Sequence, residues 1–193
     1  MSAIPSTTIR LLLLAGIALG DHSVHAARIL ARDRAQLSTA LAAAVPGDRI
    51  VMADGTWTDL KITFKTQGTK DRPITLCAQT PGKVVLNGES SLQIAGRFLV
   101  VEGLHFQSAT AGPAVSAVVF RASPMEVASD CRLTQCAIID YSPANKTVST
   151  NYVTLFGQRN RVDHCYFRGK TNRSATLVLN FDPGAPSNDH RID

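Results

Sequence analysis

The stretch Val101-Glu-Gly-Leu-His-Phe106 returns as Leu133-Thr-Gln-Cys-Ala-Ile138 and again as Val162-Asp-His-Cys-Tyr-Phe167. Each copy has apolar side chains at its first, fourth and sixth positions, and the fourth positions are 32 and then 29 residues apart. A further copy begins at Ile192, 30 residues after Val162. Self-similarity at a spacing of about 20–50 residues indicates a solenoid, in which each coil stacks on the next. We therefore expect a stacked fold that is truncated, with Ile192 opening a rung that the chain does not complete.

The sequence around this repeat consists of short runs of strand-forming residues. Between residues 49 and 101 such runs alternate with turn dipeptides such as Asp54-Gly55 and Asn87-Gly88. A helical pattern is missing between them, which argues against alternating strand–helix units. A sandwich or barrel is the alternative, but the recurring apolar set favours an all-β, right-handed parallel β-helix. Residues 104, 136 and 165 would then stack in one inward ladder.

Residues 33–45 form the one clear helix candidate. Asp33 is suited to cap it, and Leu37, Leu41 and Val45 recur at helical spacing before Pro46. Because the open end of a solenoid needs a cap, we assign this helix as the N-terminal cap.

Residues 1–27 read as a secretory signal peptide. Arg10 precedes an apolar run from 11 to 19, which is too short to span a bilayer, and a small-residue site ends at Ala26 or Ala27. The mature domain would be 28–193, secreted or periplasmic, without a membrane span. Its net charge of +5 suits a polyanionic partner, and an aromatic-plus-basic motif for nucleic acid is missing.

Four cysteines, an even number, invite disulfides in an exported chain. Cys136 and Cys165 occupy the same position of the repeat, so we interpret them as small apolar side chains that pack inward. They could also form a disulfide if their geometry allowed it.

Three further kinds of residue have predicted places. His164 precedes Cys165 and should point outward. For Trp57 we expect packing, with sugar stacking as the lesser role. Asp130, Asp140 and Asp163 differ in their places in the repeat, so we do not expect them to meet as paired carboxylates.

Several segments resemble the amino-terminal part of polysaccharide lyase family 6, which contains alginate lyases and chondroitinase B. The matching segments are 46–57, Pro73-Ile-Thr-Leu76, Asn160–Phe167 and Gly169-Lys-Thr-Asn172. The resemblance extends over roughly 28–193, and the stretch from 160 to 172 is its most specific part.

This resemblance implies β-elimination of a uronate-containing polymer. In the family, calcium bound through oxygen ligands neutralises the substrate carboxylate, a lysine removes the C5 proton, and an arginine assists the leaving oxygen. The family's ligands, an asparagine and a Glu-x-Glu pair, lie on later coils, as do the catalytic lysine and arginine. This sequence has no Glu-x-Glu followed by lysine. We therefore expect neither catalytic residues nor calcium ligands in this chain, and do not assign Lys146 or Lys170 as the base.

The resemblance does imply substrate-binding residues. Lys170 and Asn172 follow a core strand and would bind carboxylates and hydroxyls of the polymer, with Arg168 and His164 as neighbours. The predicted protein is the N-terminal portion of an exported alginate lyase, inactive in this form. A chondroitin or dermatan lyase, a non-catalytic carbohydrate-binding β-helix and a pectate-lyase-like enzyme remain alternatives.

Overall fold

The computed structural model describes residues 26–108, 116–181 and 187–193. The predicted signal peptide therefore lies outside the described residues, except for Ala26 and Ala27. Within the described part of the chain, no helix is both long and apolar enough to cross a membrane. The elements in chain order are β1 (Arg28–Ala31), α1 (Arg34–Ala43), β2 (Arg49–Met52), β3 (Gly55–Thr58), β4 (Lys61–Gln67), β5 (Ile74–Ala78), β6 (Val84–Asn87), β7 (Ser91–Arg97), β8 (Leu99–Glu102), β9 (Leu104–Gln107), β10 (Ser116–Val119), β11 (Arg121–Ser123), β12 (Glu126–Ser129), β13 (Arg132–Thr134), β14 (Ala137–Ile139), β15 (Asn151–Leu155), β16 (Arg161–Asp163), β17 (Tyr166–Arg168), β18 (Leu177–Leu179) and β19 (Arg191–Ile192).

The strands stack into three parallel sheets that wind around one core. Sheet A has the order β1-β2-β5-β8-β13-β16-β19, and sheet B has the order β17-β14-β9-β6-β3. Sheet C contains β4, β7, β10, β15 and β18, and the antiparallel hairpin β11–β12 is attached to it through β7. From β2 onward, and apart from the hairpin β11–β12, successive strands enter sheets A, B and C in turn, so the chain forms a solenoid of about 5 turns. The predicted parallel β-helix is confirmed.

The strand register reproduces the repeat that the sequence predicts. Leu133 pairs with Val101 on one side and with Val162 on the other, and Val162 pairs with Ile192. In sheet B, Ile138 lies between Phe106 and Phe167. Side chains of one face of a strand are two residues apart, so each paired set stacks as a ladder pointing into the core. The hydrophobic spacing alone was therefore enough to fix the register.

In three successive coils the corner between sheets A and B is made by a single left-handed residue. Gly103, Gln135 and His164 have φ values of 76°, 53° and 51°. Each donates its backbone N–H to the coil above, at 3.2–3.3 Å. A non-glycine residue in this conformation costs roughly 1–2 kcal/mol, which the stacking of the coils has to offset. The turn also directs the His164 side chain outward, as predicted.

The four cysteines are free thiols. Cys136 is buried in the core and Cys165 is half-buried against it. Their stacked thiols contact each other, and burial raises the pKa of Cys136. The interpretation of this pair as an inward stack is confirmed.

Helix α1 covers the N-terminal end of the core with Leu37, Ala40 and Leu41. Its bounds correct the predicted helix 33–45, because it ends at Ala43 and leaves Val45 exposed. The buried Asp48 carboxylate accepts hydrogen bonds from the backbone N–H of Val45, at 2.9 Å, and of Ala27, also at 2.9 Å. This bond to Val45 holds the segment after the helix in a turn.

Asp33 caps α1, and its removal should cost a modest amount of stability. Its Oδ1 accepts from the Gln36 backbone N–H at 2.8 Å, and the Gln36 side chain accepts from the Arg32 N–H at 2.9 Å. We expect Asp33→Ala to lower the free energy of unfolding by about 1 kcal/mol, because a helix N–H loses its acceptor. Urea unfolding measures this, with Asp71→Ala on an exposed turn as the control. An equal effect of both variants would contradict the assigned cap.

The described part of the segment 107–130 belongs largely to sheet C. Residues 116–119 form β10, which pairs with β7 and β15 inside sheet C. The hairpin β11–β12 follows and projects from the same sheet. By contrast, residues 141–150 do form a loop between β14 and β15.

Candidate functional site

A cleft of ≈ 160 Å³ lies where β17 of sheet B turns towards sheet C. Two of the four predicted binding residues, Arg168 and Lys170, line it. Its walls are formed by Tyr152, Phe167, Arg168, Gly169, Lys170 and Thr176. The strand and the turn that follow the repeat motif therefore place two cations side by side at one edge of the solenoid.

Lys170 is held in the turn by its neighbours. Its Nζ donates to Asn172 Oδ1 at 2.6 Å and to Ser174 Oγ at 3.3 Å. The same ammonium lies 5.8 Å from the centroid of the Tyr152 ring. Partial burial lowers the pKa of Lys170, since desolvation disfavours the charged form. These contacts fix the direction of the ammonium without neutralising its charge.

Asn172 is buried, with 8% of its surface exposed. Its Nδ2 donates to the backbone carbonyls of Val148, at 2.8 Å, and Thr150, at 3.2 Å. The side chain thus ties the 141–150 loop to the turn and presents its remaining oxygen to Lys170. In this geometry Asn172 positions the lysine, and its predicted contact with substrate stays a prediction.

Arg168 is exposed at the end of β17. Its Nη2 lies 3.7 Å from Asp140 Oδ2, and both side chains are more than half exposed. An ion pair this long and this exposed contributes little to stability. The guanidinium can therefore exchange Asp140 for an anion that enters the cleft.

Tyr152 is a site residue that the sequence reasoning missed. Its hydroxyl donates to the Arg168 carbonyl at 2.9 Å and accepts from the Tyr141 N–H at 3.2 Å, and its ring packs edge-on against Phe167 at 6.4 Å. The tyrosine thus forms the floor of the cleft beneath Lys170. The sequence contains one indication of this role, which is the pair of tyrosines, Tyr141 and Tyr152, at the two ends of the loop.

His164 lies at the opposite end of β17, outside the cleft. Its side chain is 68% exposed, and its Nδ1 is 3.3 Å from Asp163 Oδ2. The structure therefore brings Arg168, Lys170 and Asn172 together and leaves His164 apart from them. Its role in binding stays a prediction.

The motif from Asn160 to Asp163 builds the scaffold on which β17 rests. The Asn160 side chain is fully buried and bonds to the backbone of Cys131, Ala128 and Phe156 at 2.8–3.0 Å. Asp163 is also fully buried and pairs with arginines on two coils. Asn160 and Asp163, which belong to the segment with the most specific sequence resemblance, therefore hold neighbouring coils together.

The carboxylates of the coils belong to separate ion pairs. Asp130 binds Arg159 and Arg97, with shortest distances of 2.7 and 3.1 Å. Asp140 faces Arg168, while Asp163 is held by the arginines of its own sheet. Among residues 26–108, 116–181 and 187–193, no three His, Cys, Asp or Glu side chains are grouped to hold a metal ion.

The chemistry available in the cleft is that of anion binding. Arginine and lysine recognise carboxylates through charge-assisted hydrogen bonds, and the Thr176 and Ser174 hydroxyls lie beside them. A general base needs a free acceptor near the substrate proton, whereas the Lys170 ammonium is donating to Asn172. The arrangement suits holding a carboxylate-bearing ligand, and it does not offer the Lys170 ammonium as a proton acceptor.

Comparison with known proteins gives one consistent result. The family model described as Chondroitinase B matches residues 32–193. The chain is 37% identical to the PL6 family alginate lyase AlyGC, with a TM-score of 0.82. It is 35% identical to the PL6 polysaccharide lyase Pedsa3628 from Pseudopedobacter saltans and 29% identical to a mannuronic acid specific family 6 lyase from human gut microbiota, each with a TM-score of 0.77.

These similarities extend over most of this chain and a smaller part of the other proteins. Each covers 86% of this chain, which corresponds to 23% of AlyGC, 36% of the Pseudopedobacter protein and 39% of the gut enzyme. The search of curated proteins gave no match. The chain thus spans less than half the length of the solved structures that it resembles.

Proposed function

The chain belongs to the chondroitinase B family, polysaccharide lyase family 6, and from this premise we propose that it forms part of an enzyme that cleaves alginate by β-elimination. The observation that carries the proposal is the 37% identity and TM-score of 0.82 to an alginate lyase over 86% of the chain. The mannuronic acid specific relative supports the same substrate class.

The role of the described residues in this reaction is to bind the polymer. Elimination begins with loss of the proton next to a carboxylate, which requires the negative charge of that carboxylate to be neutralised. Arg168 and Lys170 would hold uronate carboxylates on sugars beside the reacting one, with Tyr152 beneath them. Such remote binding orients the substrate and adds to catalysis through positioning.

Calcium and the catalytic base belong to the proposal for the whole enzyme. Bound calcium would neutralise the reacting carboxylate, but the described residues do not group into a ligand set for it. We therefore propose that the 193-residue chain binds alginate without cleaving it. Incubation with alginate, followed by ultraviolet absorbance of the unsaturated product, tests this, and sustained turnover would contradict it.

Export is a further part of the proposal. Residues 1–27 have the pattern of a signal peptide, and an alginate-degrading enzyme meets its polymeric substrate outside the cytoplasm. Expression with its native N-terminus and N-terminal sequencing of the product test this. Recovery of a cell-associated protein that starts at Met1 would contradict export.

A lyase acting on dermatan or chondroitin is the second candidate. The observation that favours it is the description of the matching family model as Chondroitinase B. Calorimetric titration of the chain with oligosaccharides of alginate, dermatan sulfate and neutral mannan distinguishes the two. We expect the alginate oligosaccharide to bind most tightly, and a preference for dermatan would reverse the assignment.

A chimera separates the lyase from a non-catalytic binding protein. In it, residues 26–193 replace the matching coils of AlyGC, with which they share 37% identity. We expect the chimera to cleave alginate, because these coils would supply the binding surface that the remaining coils need. A folded chimera that binds alginate but cleaves none would favour a purely binding role for this chain.

Lys170→Met should weaken alginate binding by about tenfold. The variant keeps the apolar stem and removes the ammonium, and one charge-assisted hydrogen bond corresponds to roughly this factor. Lys70→Met is the matched control, because Lys70 is exposed in the bend between β4 and β5 and lines neither pocket. Titration calorimetry gives both affinities, and equal affinities would remove Lys170 from the site.

A further inference from the structure

A second pocket lies at the N-terminal end of the solenoid, away from the Lys170 cleft. It encloses ≈ 270 Å³ between the start of α1 and strand β3. Residues of both elements line it, including Arg32, Arg34, Asp54, Thr56, Trp57 and Thr58. Its volume is near the lower end of the range for small-molecule pockets, about 300 Å³ and above, so it suits a single sugar ring.

Trp57 forms the first rung of the inward ladder of sheet B. It pairs with Leu86, which pairs with Phe106, and both of these side chains are fully buried. Trp57 is half-exposed instead, because β3 is the outermost strand at this end of the described sheet. Its indole Nε1 donates to the Ala53 carbonyl at 3.1 Å, which fixes the ring. A fixed, half-exposed aromatic ring is a stacking surface for a sugar.

Two arginines and two acidic residues line the pocket, and both carboxylates accept hydrogen bonds from backbone N–H groups. The Asp33 carboxylate accepts from the Gln36 N–H at 2.8 Å, and the Asp54 carboxylate accepts from the Thr80 N–H at 2.9 Å. Hydrogen bonds from the backbone thus hold both carboxylates in place. The exposed Arg32 guanidinium, in contrast, makes no ion pair within the part of the chain that the structure describes.

Arg34 and two threonines complete the polar wall. The Arg34 Nη2 donates to the carbonyls of Thr58 and Asp59 at 3.3 and 3.2 Å, so the side chain is directed along the edge of β3. The hydroxyl-bearing residues Thr56 and Thr58 are exposed on that edge. A ring, a cation and hydroxyls in one pocket match the ring face, carboxylate and hydroxyls of a uronate.

We propose that this pocket binds one uronate residue of an acidic polysaccharide, with Trp57 against the sugar ring and Arg32 on its carboxylate. The site is separate from the Lys170 cleft. Trp57 and Phe167 are the first and last of five rungs in one ladder, and four steps of about 4.8 Å between parallel strands place them ~19 Å apart. The pocket would anchor a polymer that also reaches the cleft.

The single tryptophan of the chain makes the site directly observable. Titration of the 193-residue chain with a mannuronate disaccharide, which is much shorter than the separation of the two sites, should change the tryptophan emission saturably. Arg32→Gln should weaken this titration at least tenfold, and neutral mannobiose should leave the emission unchanged. Far-UV circular dichroism and thermal melting establish that the variant is folded.

Two controls separate this site from the proposed function. Arg173→Gln removes an exposed arginine at the other end of the chain and should leave the titration intact, as should Lys170→Met. An unchanged emission at saturating disaccharide, equal affinity in Arg32→Gln, or equal response to mannobiose would each overturn the proposal. Loss of the signal in Lys170→Met would also overturn it, because the emission would then report the cleft.

Discussion

Replacing Asn160 by alanine should lower the free energy of unfolding by about 3 kcal/mol, because three buried backbone bonds lose their partner. Asn160 Oδ1 accepts from the Cys131 N–H at 3.0 Å. Its Nδ2 donates to the carbonyls of Ala128, at 2.9 Å, and Phe156, at 2.8 Å. These groups lie on two successive coils, so one side chain fastens the coils together. Urea unfolding followed by circular dichroism measures the loss.

Two further variants show whether the hydrogen bonds or the volume of Asn160 matter. Asn160→Asp keeps the shape but turns an oxygen towards the carbonyls of Ala128 and Phe156, so we expect it to destabilise at least as strongly as alanine. Asn145→Ala, on the exposed 141–150 loop, should cost less than about 1 kcal/mol. A loss below 1 kcal/mol in Asn160→Ala would contradict the role of this side chain in joining the coils.

The fold was predictable from the sequence because a stacked solenoid repeats its own pattern. Apolar residues at fixed offsets in each coil, such as Val101, Leu133 and Val162, have to point inward, and this requirement sets the strand register. Strand β10 was missed because Ser116-Ala-Val-Val119 follows a run of small residues with Gly and Pro and has no counterpart in the repeat motif. The helix end was missed because the carboxylate that fixes the following turn belongs to Asp48.

The candidate site was predictable only where its residues are neighbours in sequence. Lys170 and Asn172 are two positions apart, and their side chains do meet. The contribution of Tyr152 depends on the path of the 141–150 loop, and a sequence pattern carries no information on that path. Asn160 and Asp163 drew attention through the family resemblance, yet their contacts show a scaffolding role that only the stacked neighbours reveal.

Asp163→Asn should lower the free energy of unfolding by about 2 kcal/mol at neutral pH. Asp163 is fully buried, and its Oδ1 and Oδ2 accept from Arg132 Nε at 2.9 Å and Nη2 at 2.6 Å, while Arg161 Nε lies 2.9 Å from Oδ2. Hydrogen bonding from Arg132 is the main cause that lowers the pKa of Asp163 from 3.8 to about 2. A shift of this size corresponds to about 2 kcal/mol, and partial exposure of both arginines keeps the effect from being larger.

The pH dependence of this loss follows from the direction of the pKa shift. Because the folded-state pKa lies below the unfolded value, the carboxylate stabilises the fold fully above about pH 5, and this stabilisation is lost as the pH falls through about 2. The difference in unfolding free energy between wild type and Asp163→Asn should therefore be constant from pH 7 to 5 and shrink towards pH 2. Taking the difference cancels the titration of Asp130, whose pKa is also lowered by its arginines. A difference that persists unchanged at pH 2 would mean that the variant acts through packing, and that the two arginines do not hold the charge of Asp163.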